Sequence, residues 1–205
     1  MERAAEVTGS KGERTRARIA ATAATLFNER GYAGTSLGDL MQATGLTKGA
    51  LYNHFEDKDA IAVAAFDHMV AALRGRFETA LAVPGSAGDR LAAVVEVFRL
   101  LWRLPGGCPV VNTAVEADDT HPSLRERARA AMLEWRDGIA ACVRAGQAAS
   151  EIRADVDAEK FAGLVIGCLE GALVLSRLLG ERCHLDAAAE HLRQHIERNV
   201  LTGSR

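Results

Sequence analysis

The sequence predicts an all-α fold, and three observations lead to that prediction. Apolar residues recur at steps of three and four along most of the 205 residues, which is the spacing of one face of a helix. No stretch shows the alternation of apolar and polar residues that indicates a half-buried strand. Only 4 prolines occur, and they lie where helices would begin or end. We therefore expect nine helices.

Three short helices are predicted first. The first of them ends at Gly31, which suits a C-terminal cap, and the eleven residues at the start of the chain are expected to be frayed. The second begins at Ser36, whose spacing from Asp39 is that of a capping box, and Gly45 breaks it. Thr47 caps the third, which runs for about two turns.

Six longer helices are predicted to follow. The fourth starts near Asp57, and Pro109 and Pro122 suit the first turns of the sixth and seventh. The eighth is expected over about 157–179 and the ninth over about 186–201. The change from short to long helices predicts two domains, residues 12–58 and residues 59–205.

Charge and cysteine usage restrict the class of protein. The net charge is −2, so binding to nucleic acid would depend on a local patch, and the segment from Lys11 to His54 holds six Lys or Arg and three Asp or Glu. Four widely spaced cysteines without a C-x-x-C pair argue against a disulfide scaffold or a zinc ribbon. No uninterrupted apolar run reaches the ~20 residues of a membrane span, and the charged first twenty residues do not resemble a signal peptide. We expect a cytoplasmic protein without a membrane partner.

The second and third helices have the arrangement of a helix-turn-helix. The turn between them is Thr44-Gly45-Leu46, and DNA-binding motifs of this kind join two short helices through a tight turn with glycine. Gly49 removes side-chain bulk where the third helix would meet a DNA groove. The residues expected to face outward are Thr47, Lys48, Tyr52 and Asn53. An ordinary three-helix bundle with a solvated face is the alternative interpretation.

The segment 12–60 resembles the TetR family of transcriptional regulators. The residues that carry the resemblance are Ala23, Leu26, Phe27, Gly31, Tyr32, Thr35, Ser36, Leu40, the run 45–55 and Lys58. The resemblance implies a homodimer whose third helix enters the major groove of a palindromic double-stranded DNA operator. It places Thr47, Lys48 and Gly49 at the groove, with Asn53 beside them, and Tyr52, His54 and Lys58 near phosphates. It also implies that Thr35 and Ser36 present backbone N–H groups to phosphate.

The same resemblance implies that helices four to seven enclose a cavity for a small-molecule effector. The candidate lining residues are Phe66, Met69, Trp102, Cys108, Asn112, Val115, Glu116, Trp135 and Cys168. For each apolar candidate, plain core is the alternative. Asn112 and Glu116 lie four residues apart on one helix, where they would orient a ligand if they face inward and would be solvated if they face outward. The mixture of side chains predicts a small, largely apolar effector.

The resemblance also implies that helices eight and nine form the dimer. Gly163, Gly167 and Gly171 form a smooth stripe along helix eight, and a close approach of two helices would explain three glycines in one helix. Leu192 and Ile196 belong to an apolar stripe on helix nine that would be shared with the partner. Tight packing within one chain is the alternative.

Cys108 suggests a second kind of effector. It follows Gly106-Gly107 and precedes Pro109, so its sulfur lies at a helix N-terminus, where a thiolate is stabilised. This segment, with Asn112, Glu116 and Trp135, resembles the subgroup of TetR regulators that includes sensors of electrophiles and oxidants. An inert buried cysteine is the alternative.

Metal binding and catalysis receive less support. His191 and His195 lie four residues apart, with Cys183 and His184 one or two turns earlier, but the sequence defines no further ligand. We expect a solvated terminal helix there, and no metal or cofactor. No nucleophile elbow, P-loop or dinucleotide motif indicates an enzyme. The sequence therefore predicts a ligand-responsive repressor, and the alternative is a helical ligand-binding or interaction protein without sequence-specific DNA binding.

Overall fold

A computed structural model describes residues 10–203, and within that range the chain forms nine α-helices. They are α1 Lys11–Arg30, α2 Leu37–Thr44, α3 Lys48–Tyr52, α4 Lys58–Leu81, α5 Ala87–Leu101, α6 Pro109–Ala117, α7 Pro122–Ala148, α8 Ala158–Leu179 and α9 Cys183–His195. A π-helical turn, Ile196–Val200, follows α9. An isolated bridge between Ile152 and Leu201 is the β pairing found in this range. The prediction of an all-α fold is confirmed.

Local signals determine most helix ends. Ser36 and Asp39 form both hydrogen bonds of the predicted capping box, and Gly45 ends α2 in the left-handed conformation, with φ 69°. The frayed start predicted for the chain falls mainly on residues 1–9, which lie outside the described residues. Ser10 caps α1 through a capping box with Glu13, so Lys11 is already helical. The last helix begins at Cys183, three residues before its predicted start.

Two hydrophobic cores share α4. The smaller core joins α1, α2 and α3 to the first turns of α4 and includes Ile19, Leu40, Leu51 and Ile61. The larger core lies among α4 to α9. Because α4 contributes to both cores, a displacement of α4 moves the three N-terminal helices.

One side of α8 is apolar and exposed. Its large exposed side chains are Leu164, Val174, Leu175, Leu178 and Leu179. Over 18 residues α8 has a mean hydropathy of 1.8 and the length of a membrane-crossing helix, and 39% of that window is buried inside the chain. A core helix of a soluble protein has the same length and composition. One side of α8 thus presents large apolar side chains that the other described residues do not cover.

Candidate DNA interface and effector junction

The first candidate surface is the outer side of α3. Thr47 accepts a hydrogen bond from the N–H of Ala50 at 3.2 Å and thereby begins the helix. Leu51 is buried against α1 and α2, whereas Lys48, Gly49 and Asn53 are exposed. This orientation leaves the polar side of α3 toward solvent, as the sequence predicted.

Tyr52 and Lys48 lie together on this surface. The Lys48 ammonium is 5.8 Å from the centre of the Tyr52 ring, and Tyr52 is 37% exposed. A Cβ built on Gly49 would have no described atom within 4 Å, so a DNA backbone or base edge could approach the helix closely there. The surface offers a cation, a phenol and an amide in two turns.

Two predicted phosphate donors are already engaged, so that expectation is wrong. Thr35 is buried, its hydroxyl donates to the carbonyl of Gly31 at 2.7 Å, and its N–H donates to that of Tyr32 at 3.4 Å. The N–H of Ser36 donates to Asp39 at 2.8 Å in the capping box. The N–H groups at the start of a helix lack intrahelical acceptors, so the amides of the next two residues, in the first turn of α2, are the ones available to an anion.

Lys58 and His54 also make contacts among the N-terminal helices. The Lys58 ammonium donates to the carbonyl of Tyr32 at 2.6 Å and lies 4.0 Å from the centre of the Tyr32 ring, so it holds α4 to the turn after α1. His54 is half-buried, and its carbonyl accepts a hydrogen bond from Arg16. Lys58 is therefore a structural contact of the N-terminal helices, but its ammonium has two further N–H donors, so its place near phosphate stays a prediction.

Tyr32 is the centre of a junction between the two cores. Its hydroxyl donates to Asp59 of α4, and the edge of its ring packs on His121 at 4.9 Å between centroids. Burial, together with the hydrogen bond and charge of Asp59, raises the pKa of Tyr32 to about 12. The phenol therefore stays protonated and keeps this contact at neutral pH.

Glu116 ties α6 to the same turn. Its two carboxylate oxygens accept the backbone N–H groups of Tyr32 at 2.8 Å and Ala33 at 2.9 Å. Gly31, with φ 75°, leaves room for that carboxylate, since a Cβ there would lie 2.8 Å from its oxygens. Glu116 is half-buried, and both of its carboxylate oxygens are engaged by this turn.

Asn112 forms a second link one turn earlier on α6. Its amide donates to the side-chain oxygen of Asn28 at 3.0 Å and to the carbonyl of Gly106 at 2.9 Å. The amide of Asn28 donates in turn to the carbonyls of Pro105 at 2.6 Å and Gly107 at 3.0 Å. The pair fastens α1 to the α5–α6 loop.

A cavity of about 250 Å³ lies directly at this junction. It is lined by Phe27, Asn28, Tyr32, Ala33, Ala62, Phe66, Met69, Thr113, Glu116, Ala117, Thr120, His121 and Leu124. Three of the predicted effector residues, Phe66, Met69 and Glu116, meet here. The His121 ring accepts the N–H of Leu124 at Nδ1, so the neutral ring carries its hydrogen on Nε2, which has no hydrogen-bond partner within residues 10–203.

Comparison with known proteins agrees with this arrangement. Residues 19–65 match the family described as bacterial regulatory proteins of the tetR family, and residues 87–192 match the tetracyclin repressor-like C-terminal domain. A TetR transcriptional regulator from Chloroflexus aurantiacus J-10-FL is 46% identical, with a TM-score of 0.90 over 94% of this chain and 99% of that chain. This chain belongs to the TetR family. It is a ligand-responsive DNA-binding transcriptional regulator.

Two further proteins are similar to this chain at lower sequence identity. The transcriptional repressor DhaR from Mycobacterium sp. strain GP1 is 28% identical over 167 residues, covering 78% of this chain and 81% of DhaR. Reduced Escherichia coli NemR is 21% identical, with a TM-score of 0.81 over 92% of this chain and 97% of NemR. At that identity NemR shows the shared TetR fold alone.

Six of the nine residues predicted for the effector cavity lie elsewhere in this TetR fold, Asn112 and Cys108 among them. Trp135 is buried in the larger core, where its ring stacks on Phe77 at 4.6 Å. Val115 is 79% exposed on the outside of α6. Trp102 and Cys168 are half-buried, pack against the larger core and do not line the junction. These residues do not line the junction cavity, because periodicity identifies an apolar face and not the neighbour it meets, and their role in binding an effector stays a prediction.

The lowered pKa expected for Cys108 in the TetR chain is also wrong. Its side chain is buried, and burial together with the nearby Glu170 raises the pKa of the thiol well above its ordinary value. Glu170 is only 5% exposed, neither carboxylate oxygen has a hydrogen-bond partner of ordinary geometry within the described residues, and burial raises its pKa to about 7. These contributions exceed that of the α6 N-terminus. In the sequence, the one sign of this pair was Glu170 itself, a carboxylate within the apolar part of α8.

The predicted dimer residues divide into two groups. Gly163, Gly167 and Gly171 are exposed, and a Cβ built on any of them would have no described atom within 4 Å, so packing within one chain does not explain them. Leu192 and Ile196 are buried in the larger core, so their assignment to a dimer interface is wrong. Helix α9 turns its apolar side inward.

We expect Glu116→Gln to lower the free energy of unfolding by about 1–2 kcal/mol, because a neutral amide has one oxygen for two N–H donors and replaces charge-assisted hydrogen bonds. Hydrogen exchange at the Tyr32 and Ala33 amides, together with denaturant unfolding, checks this. Glu134→Gln is the matched control, since Glu134 pairs with Arg74 at the surface and its loss should change stability by less than about 1 kcal/mol. Equal effects in both variants would contradict the assigned link.

Proposed function

We propose that this regulator is a homodimeric repressor, released from a palindromic operator by a small effector that binds in the junction cavity. The observation that carries the proposal is that the same residues line the cavity and link the two cores. Tyr32 and Glu116 line the cavity and also hold α6 to the turn that precedes α2. A ligand in this cavity therefore contacts the connection between the two cores directly.

The dimer would form through α8. Several of its leucine side chains are exposed, and Leu178 is 80% exposed. The adjacent stripe of glycines permits a close approach of a second helix. Contiguous exposed apolar surface of this kind is typical of an interface. Two copies related by a two-fold axis would cover each other's α8.

Release would follow from a change in the spacing of the two α3 helices. Recognition helices of such dimers contact half-sites about one DNA turn apart, ~34 Å, so a small displacement reduces affinity. A ligand that wedges α6 away from α1 would move the turn held by Glu116 and, through α4, the N-terminal helices. It acts only through its different affinity for the two arrangements.

The cavity indicates the chemistry of the effector. Its walls are mainly apolar. Its volume is below the ~300–1,000 Å³ of most ligand pockets, so it suits a small compound. Nε2 of His121 lies 3.6 Å from Oδ2 of Asp59, beyond hydrogen-bond distance, so it can donate to an acceptor atom of the ligand beside that carboxylate. The buried, protonated Cys108 thiol favours non-covalent binding over reaction with an electrophile. A cytoplasmic location suits a DNA-binding regulator, and catalysis is not part of this proposal.

The experiment that tests the proposal measures binding to the DNA upstream of the protein's own gene, titrated against salt. We expect Tyr52→Ala to weaken this binding roughly 150- to 900-fold, since each subunit of the dimer loses a hydrogen bond to a charged phosphate worth about 1.5–2 kcal/mol, or about 3–4 kcal/mol per dimer. Folding and dimerisation should be unchanged, because Tyr52 packs on neither core.

Arg144→Ala is the control for this test. Arg144 is an exposed residue of α7 that pairs with Glu159, so its loss should leave DNA affinity unchanged. If a folded dimer binds duplex DNA with no salt dependence, or not at all, a helical interaction protein becomes the better interpretation. Unchanged affinity in Tyr52→Ala would remove Tyr52 from the DNA contacts.

A further inference from the structure

The corner between α8 and α9 brings together three side chains that neither DNA nor the junction cavity uses. Glu181 follows the α8 cap, and Cys183 and His184 begin α9. One ligand atom from each lies within 4.8 Å of those of the other two. The Cys183 sulfur is 3.7 Å from Oε2 of Glu181, and Nε2 of His184 is 3.6 Å from the same oxygen.

These separations match those around a tetrahedral zinc ion. Zinc binds thiolate sulfur at ~2.3 Å, imidazole nitrogen at ~2.0–2.1 Å and carboxylate oxygen at ~2.0–2.2 Å. At tetrahedral angles, such lengths place sulfur and oxygen ~3.6 Å apart and nitrogen and oxygen ~3.4 Å apart. The two observed distances to Oε2 of Glu181 differ from these values by about 0.2 Å or less, and the sulfur and the nitrogen lie within 4.8 Å of each other, so rotations of the side chains would bring the three atoms to one ion.

The kinds of ligand atom select the metal. A thiol and an imidazole beside one carboxylate suit Zn²⁺, whereas Mg²⁺ and Ca²⁺ take oxygen ligands. The His184 Nε2 atom has no hydrogen-bond partner within residues 10–203, because its distance to Glu181 is too long for a hydrogen bond. Cys183 is a free, exposed cysteine, so an ion can reach the corner from solvent.

The histidine pair suggested by the sequence is not part of this cluster. His191 and His195 stack on each other with their ring centroids 6.5 Å apart, and His195 also stacks on Phe161. The cluster of Glu181, Cys183 and His184 is the group of three metal ligands found among the described residues. Of the four residues that the sequence suggested as metal ligands, Cys183 and His184 therefore belong to the cluster. Glu181 joins them, although the sequence pattern did not include it.

We infer that Glu181, Cys183 and His184 form a three-ligand site for a thiophilic divalent cation, Zn²⁺ above all, with its fourth position open to water. The ion would tie the residue after α8 to the first turn of α9. Binding would release the thiol proton to solvent, because the thiolate is the ligand. The site is separate from the effector junction, so its failure would leave the proposed function intact.

Cobalt titration of the full chain in reducing, oxygen-free buffer tests this inference. We expect one Co²⁺ per chain, a thiolate-to-cobalt charge-transfer band, visible absorption of tetrahedral intensity, and loss of both on addition of Zn²⁺. Cys183→Ser should abolish the charge-transfer band, and His184→Asn should weaken Zn²⁺ binding at least tenfold. Circular dichroism establishes that both variants remain folded.

Cys168→Ser and His191→Asn are the matched controls, since each removes a thiol or an imidazole elsewhere on the same two helices. Both should bind cobalt as the parent does. A charge-transfer band that survives in Cys183→Ser would assign the metal to another thiol and overturn the inference. Absence of the band in the parent, or equal Zn²⁺ affinity in all variants, would do the same.

Discussion

Trp135→Ala is expected to lower the free energy of unfolding by about 3–5 kcal/mol, the usual cost of deleting a large aromatic side chain from a packed core. The Trp135 ring stacks on Phe77 at 4.6 Å and meets the edge of Phe98 at 5.8 Å. Phe77 and Phe98 also meet edge to face at 5.3 Å, so one substitution removes two of the three contacts in the cluster. Aromatic pairs of this geometry add to the energy of burial alone.

Denaturant unfolding with the chain free of ligand measures this effect. Trp102→Ala is the matched control, because Trp102 is a half-buried tryptophan at the end of α5 and should cost clearly less. A loss below about 1 kcal/mol for Trp135→Ala would mean that the ring borders an open cavity. That result would restore Trp135 as a candidate effector contact.

The helices and their ends were predictable because the signals are local. Ser36 and Asp39 lie three residues apart and cap the same helix, and Gly45 ends that helix in a conformation that glycine adopts without strain. Likewise, Pro109 and Pro122 open the helices that they were expected to open. Interactions within one turn depend little on the rest of the fold.

The junction was not predictable in the same way. Glu116 and Asn112 were recognised as unusual polar residues, but their partners Tyr32 and Asn28 lie 84 residues earlier in the chain. The helical period shows that two residues share a face and does not show what packs on that face. The sequence left a ligand or solvent as the alternatives. In the structure Glu116 instead accepts backbone N–H groups of the turn after α1, and Asn112 donates to the side chain of Asn28.

Burial reversed another expectation. The position of Cys108 at the start of α6 correctly placed its sulfur at a helix N-terminus. The sequence did not reveal that Glu170 of α8 lies beside the thiol or that both groups are removed from water. Loss of hydration outweighs the partial charge of a helix end, so the pKa of the thiol rises.

Glu170→Gln should raise the free energy of unfolding at pH 8 by about 3 kcal/mol, because it removes a carboxylate whose burial is uncompensated. The pKa of Glu170 is about 7 in the folded chain, against 4.5 ordinarily. Below pH 4.5 the carboxyl is protonated in both states and costs nothing. Between pH 4.5 and 7 only the unfolded chain releases the proton, so stability falls as the pH rises, and above pH 7 the full cost is present.

The difference between the Gln variant and the parent should therefore widen by about 2 kcal/mol from pH 5 to pH 8. Denaturant unfolding at both pH values measures it. Glu159→Gln, at the exposed start of α8, is the control and should show no comparable change, since its ion pair with Arg144 lies in solvent. If the difference for Glu170→Gln stays constant across this range, the carboxyl is hydrated or paired in the folded chain, and the pKa of Cys108 must be raised by burial alone.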